Sequence, residues 1–451
     1  MSSSERMNGA GRSGGPERTA LILLRSSPFA AAFATTAIGA LFGTHAIRQL
    51  TGDAGYGAVI TGLCLIGAAM LVARRREVRA IEVMPVTLVA LLAWLLISVF
   101  WSRSAPAAFE GWLQLAGPTF LAVVVAQFRD TLQTVRATGD VLRFWLTASL
   151  AIEILSGILL DGPVPFLSIA GNLAEGGPIQ GLFGTRTVLG VVTIIALITF
   201  VVEWRTRSVR PGLSAYSVAL AALLAIFTAS PIVLGMAVIA GAATGALAIV
   251  RRVSPAVRSR LQWVLAGSVA VFLLAAYLFR RPLVYWLNAE PDFLTRSRLW
   301  NAILDIAAVR PVQGWGWVGT WPDFLTPYSY IRLSTDQPHR SALNAWMDVL
   351  LQAGTVGVVL LFAFAGLALA RAWMTASERR STVHVWPALV IITILADSVV
   401  TSSPLGGFGW FLLVVCATQA SLVRGWRKSW QERRARADVS DLPPGAAEDP
   451  A

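Results

Sequence analysis

The chain has three histidines, and one of them, His339, stands in the stretch DQPHRSALNAWMDVLLQAG (336–354), just before a long apolar run. A neutral imidazole can take a proton from a hydroxyl. Close by lie Asp336, Arg332 and Arg340; Arg296 and Arg298 lie upstream, and Arg186 opens a different apolar run. Arginine's planar fork suits a phosphate or diphosphate. A base for a hydroxyl beside cations for a diphosphate suits glycosyl transfer from a lipid-diphosphate sugar. The diphosphate leaves readily, and arginine stabilises the charge that develops on it. Other chemistries find no motif. The loops carry no neighbouring carboxylates to hold a divalent metal against a sugar nucleotide. There is no HExxH, no Walker motif and no serine elbow. Gly171, Gly176 and Gly177 read as turn glycines. Neither a metal nor a cofactor is expected.

These residues need elements to position them. The 451 residues are 55% hydrophobic and only 14% charged, with a mean hydropathy of +0.64. A soluble protein carries about 25% charged residues. Apolar runs of about 17–25 residues, enough to cross a bilayer as helix, recur near 28–47, 55–73, 84–101, 112–128, 140–160, 186–203, 214–230, 232–250, 261–279, 341–370, 385–401 and 406–423. The expected fold is all-α: a polytopic membrane helical bundle of about twelve transmembrane helices. Residues 1–27 read as a disordered cytoplasmic tail, 28–279 as transmembrane helices one to nine, and 280–340 as a large extracytoplasmic loop. Residues 341–423 hold the last three helices and 424–451 a second cytoplasmic tail.

With the N-terminus in the cytoplasm, 27 of the 37 Lys and Arg residues fall on the inner side, and seven of the outer ten lie in 280–340. This follows the positive-inside rule. The net charge of +12 therefore reports topology, and no nucleic-acid partner is expected. The location implied is the cytoplasmic (inner) membrane, multi-pass, with both termini cytoplasmic. Cys64 and Cys416 both fall within apolar runs and offer neither a disulfide framework nor a metal site.

The large loop holds Trp286, Trp300, Trp315, Trp317 and Trp321. Within it, Leu299, Trp300, Ile303, Ile306 and Ala307 recur at three- and four-residue spacing. That pattern predicts an amphipathic helix over 296–309 along the membrane surface, with Trp300 and Ile303 toward lipid or protein, ended by Pro311. The Gly/Trp turn QGWGWVGTWP follows.

The run from Arg296 to Gly357 resembles the bacterial O-antigen ligase and polysaccharide polymerase family, including exopolysaccharide polymerases. The features that carry the resemblance are Arg296 with Trp300, Pro311 with Gly314 and Gly316, His339, and Gly354 with Gly357. It implies transfer of an undecaprenyl-diphosphate-linked oligosaccharide to a hydroxyl on a glycan, lipid or wall acceptor, without a metal. His339 would be the base, and Arg296, Arg186 and Arg340 would bind the diphosphate. Asp336, Trp300, Gly314 and Gly316 would support them. Two positions depart from the family: Thr187 follows Arg186 where asparagine is common, and Ser230-Pro231 stands in place of a Ser-Arg pair. Glu153, Asp348 and Asp397 lie in or near apolar runs, where acids are costly and functional by default. They favour a rival reading, an exporter of envelope precursors. A non-catalytic envelope scaffold is a third. His339 itself also fits as an interfacial residue, and most of the loop tryptophans as an aromatic belt.

Overall fold

The computed structural model describes residues 16–75, 84–167, 169–174, 176–279 and 290–422. Among these the chain is helical, without a strand; one isolated bridge joins Val164 to Ile169. The C-terminal tail 424–451 and residues 280–289, with Arg280, Arg281 and Trp286, lie outside the described residues.

Among the described residues, helix covers most of each of the twelve apolar runs. After a short helix α1 (Pro16–Arg25) come α2 (Ser27–Phe42), α3 (Thr44–Ala73), α4 (Val86–Ile97), α5 (Ala105–Phe128) and α6 (Thr131–Ile154). Then follow α7 (Arg186–Arg205), α8 (Pro211–Phe227), α9 (Pro231–Arg252) and α10 (Pro255–Leu278). Two shorter helices, α11 (Glu290–Ala307) and α12 (Tyr328–Thr335), precede α13 (Ala345–Glu378), α14 (Val385–Val400) and α15 (Gly407–Leu422). Among the described residues, seven helical segments are long and apolar enough to cross a membrane: α3, α5, α6 with its continuation to Leu159, α7, α9, α13, and Thr382–Val400 around α14. Leu65, Val72, Leu234, Val238, Val271 and Phe272 are exposed on outer faces. Such contiguous exposed apolar surface belongs in lipid. The chain is a helical membrane protein.

Local chemistry sets the helix starts. Ser26, Ser104 and Thr185 each accept a backbone N–H three residues on, from Phe29, Ala107 and Val188. Asp130 and Gln133 form a reciprocal capping box. Proline at the first turn opens α8, α9 and α10, where no N–H is needed. The core is packed around α7, whose Leu189, Val192, Ile195, Ala196 and Phe200 are buried against α6, α8, α9 and α14.

The structure departs from expectation at two places. Residues 16–25, read as part of a disordered tail, form α1. The expected amphipathic helix is α11, and of the two surroundings open to its apolar face, lipid or protein, that face meets protein. Leu299 and Ile303 are fully buried with Val318, Trp321, Tyr328 and Ile331 in a satellite core. Finally, α13 begins only at Ala345, capped by Asn344, whose side chain accepts from Trp346 N at 2.9 Å and Met347 N at 3.2 Å. His339 is therefore in a turn well before the helix and is not at its mouth.

Candidate functional site

The segment after α11 is held by a break in α13. Gly354 sits at φ 68°, ψ −170° inside that helix. A break frees backbone groups that membrane interior cannot satisfy, so other protein must pair them. The turn from Pro311 to Gly316 does so. Trp315 N–H donates to Leu351 O (3.0 Å) and Gly316 N–H to Gln352 O (2.8 Å), while Thr355 N–H donates to Pro311 O (2.8 Å) and Val356 N–H to Val312 O (3.4 Å). The approach is so close that a Cβ on Gly314 would stand 2.5 Å from Gly354 N, and one on Gly354 would stand 2.1 Å from Val312 O. Both glycines have positive φ. The Pro-x-x-Gly-x-Gly and Gly-x-x-Gly spacings thus describe a backbone splice.

Gln352, at the break, reads the next part of the loop. Its Oε1 accepts from Val318 N (2.8 Å) and Gly319 N (2.9 Å), and its Nε2 donates to Gly319 O (3.1 Å) and Asp348 Oδ1 (3.2 Å). Asp348 Oδ2 accepts from Ala342 N at 3.0 Å and from the Ser402 hydroxyl. Trp317 is buried, with its N–H donating to Ser98 and its indole to Gly111 O.

Above this network lies a cleft of about 460 Å³. Its walls come from α3 (Thr44, Arg48, Asp53, Tyr56), from α5 (Glu110, Gln114), from the loop (Trp317, Gly319, Thr320, Arg340, Ser341), and from Asp348, Ser402 and Ser403. Ile60, Leu113, Pro118 and Leu405 add an apolar wall. Ligand sites of about 300–1,000 Å³ combine apolar walls with a few convergent polar groups in this way. Arg48 stacks 4.8 Å from the Tyr56 ring centre and stands 3.4 Å from the Asp53 carboxylate. Arg48 lines the cleft beside both.

Of the residues expected to bind or react, Arg340 alone lines this cleft. Arg296 acts as a brace: one guanidinium nitrogen donates to Leu343 O (3.0 Å) and Val400 O (2.7 Å). Trp300 likewise donates to Ala342 O at 2.9 Å. Together they fix the 342–344 turn that leads into α13. Arg186 is exposed at the first turn of α7, and Asp336 is an exposed left-handed residue that ends α12. His339 is half-buried beside Arg340. Its Nε2 is buried without a hydrogen-bond partner among the described residues. Burial lowers its pKa below the usual 6.5. Desolvation thus favours the neutral imidazole. Arg48, Glu110, Gln114 and Ser402 went unremarked in the sequence. Arg48 reads there as one more charge flanking an apolar run; the Thr51-Gly52-Asp53 break beside it, with Gly52 at φ 74°, was the available cue.

Among the described residues, no three His, Cys, Asp or Glu side chains are grouped to hold a metal ion. No family model and no curated protein matches the chain.

Proposed function

We propose that the chain is a metal-independent membrane glycosyltransferase. It moves a glycan from an undecaprenyl-diphosphate-linked donor to a hydroxyl on a glycan, lipid or wall acceptor, at the outer face of the cytoplasmic membrane. The distribution of Lys and Arg, with 27 of 37 on one side of a twelve-span arrangement, supports both termini inside and the cleft on the outer face. The observation that carries the reading is the cleft, where guanidinium groups from two distant segments, Arg48 and Arg340, meet a polar wall of hydroxyls and a buried carboxylate beside apolar surface. Guanidinium forks suit a diphosphate, and the apolar wall suits the first part of a lipid chain. A diphosphate is a good leaving group, so charge neutralisation by arginine does most of what a metal would do. Back-side attack by the acceptor hydroxyl would invert the anomeric centre.

The rival exporter reading draws on the buried acids Glu153, Asp348 and Asp397 and on the buried ion pair between Arg143 on α6 and Glu203 on α7. That pair is already tied to Ser217 (2.8 Å) and Asp140 (2.7 Å), as a clamp between helices would be. Purified protein given a lipid-diphosphate glycan and an acceptor separates the two. Product formation supports transfer, while donor movement across vesicles without product supports export.

A further inference from the structure

Glycosyl transfer needs a group to take the acceptor's proton, and His339 is off the cleft wall with its Nε2 buried. Two other groups are on the wall. Ser402 follows α14, and Asp348 stands in the first turn of α13. They are joined by a hydrogen bond in which Ser402 Oγ donates to Asp348 Oδ2. Ser402 Oγ in turn accepts Asn344 N–H at 3.2 Å. Its one proton and one of its lone pairs are thus committed, and the second lone pair can accept from a hydroxyl in the cleft. Asp348 is 2% exposed, and no cation is paired with it among the described residues. The groups that face its carboxylate are neutral dipoles: Ala342 N–H, Gln352 Nε2, Ser402 and the Trp321 indole. A buried carboxylate without a counter-ion is costly. Anchoring the 342–344 turn would need only a neutral acceptor, so that role does not account for the charge. Asp397 nearby differs, because its partners Thr401 (2.9 Å) and Ser403 (2.6 Å) are local and finish α14.

We propose that Ser402 and Asp348 form the proton relay of the transfer. This rests on the glycosyltransferase reading. The acceptor oxygen bonds to the anomeric carbon while the bond from that carbon to the diphosphate oxygen breaks, its electron pair leaving with the diphosphate held by Arg48 and Arg340. The acceptor's proton passes to Ser402 Oγ as the Ser402 proton passes to Asp348 Oδ2. The proton then returns through Ser402 to water or to the departing lipid diphosphate. Ser402 touches substrate, and Asp348 acts through it.

The test measures kcat and KM for purified wild type, Ser402→Ala, Ser402→Thr, Asp348→Asn and His339→Ala with one lipid-diphosphate donor, together with donor binding. Asp348→Asn keeps an acceptor for Ala342 N–H but no base. The relay predicts that Ser402→Ala and Asp348→Asn lose about 10²–10⁴-fold in kcat, bind donor as wild type does, and that Ser402→Thr recovers most of the loss. Normal kcat in Ser402→Ala or Asp348→Asn, with a loss in His339→Ala, would overturn the relay and give the proton to the imidazole. Loss of donor binding along with kcat in Asp348→Asn would make Asp348 structural and overturn its role in the relay. A wild-type protein that binds donor but forms no product defeats the underlying reading and the relay with it.

Discussion

Gly314 and Gly354 lie forty residues apart in the chain and touch through their backbones: a Cβ on Gly314 would stand 2.5 Å from Gly354 N. Their contact joins the loop to the broken helix and so sets the cleft floor. Gly314→Ala and Gly354→Ala each force a side chain into a left-handed conformation and against backbone. The strained φ alone costs about 1–2 kcal/mol, and the clash adds to it. Thermal unfolding in detergent should show both variants destabilised. Gly366→Ala, on the same helix with nothing within 4 Å of its Cβ, should unfold at or slightly above the wild-type temperature. Equal behaviour of the three would contradict the splice.

Arg48, Arg340 and Arg296 should separate by phenotype. Arg48→Ala and Arg340→Ala remove cations that line the cleft and leave the fold in place. A hydrogen bond to a charged group contributes about 1.5–3 kcal/mol, so lipid-diphosphate affinity should fall by roughly 10–100-fold in each. Arg296→Ala instead unpairs Leu343 O and Val400 O, and should lower the unfolding temperature first. Donor titrations beside melting curves check this. Unchanged affinity in both cleft variants would remove the diphosphate from this wall.

Much of the fold is legible in the sequence, since burial and length of apolar runs are local properties. Among the described residues helix covers most of each apolar run, seven helical segments are long and apolar enough to cross a membrane, and the periodicity of Leu299, Trp300 and Ile303 located α11. What covers that helix is not local: Val318 and Ile331 reach it only through the fold, so the periodicity by itself leaves lipid and protein both open. The glycine spacings around Gly314 and Gly354 are visible as pattern, but their meaning as a backbone splice needs both strands of the contact. The cleft was the least legible part. Its polar groups come from 44–61, 110–114, 317–348 and 402–403, and no window of sequence holds more than a few. Arg296 looked like a ligand because an arginine in a loop gives no sign that carbonyls already occupy it.

His339 supplies a pH test. Its folded-state pKa is lowered by burial, so the unfolded chain binds the extra proton more readily. Its contribution to stability is complete above the ordinary value near 6.5 and is lost as pH falls through that value toward the lowered folded one. On going from about pH 7.5 to about pH 5.5, wild type should lose more thermal stability than His339→Gln. Identical losses would contradict a buried neutral imidazole.

Topology is checked with a single cysteine. Phe324 is highly exposed in the loop between α11 and α12, so Phe324→Cys in a background of Cys64→Ala and Cys416→Ala should react with an impermeant maleimide in intact cells. Reaction only after lysis would place the cleft on the cytoplasmic side and remove the outward-facing reading.

The central claim is tested most directly by turnover. Purified protein in lipid nanodiscs is given a lipid-diphosphate oligosaccharide and its hydroxyl acceptor in the presence of a chelator. The account predicts a new glycoside and free lipid diphosphate in equal amounts, unaffected by the chelator and lost when Arg48 and Arg340 are both changed to alanine. Absence of product from the wild type, with donor shown to be bound, would contradict it.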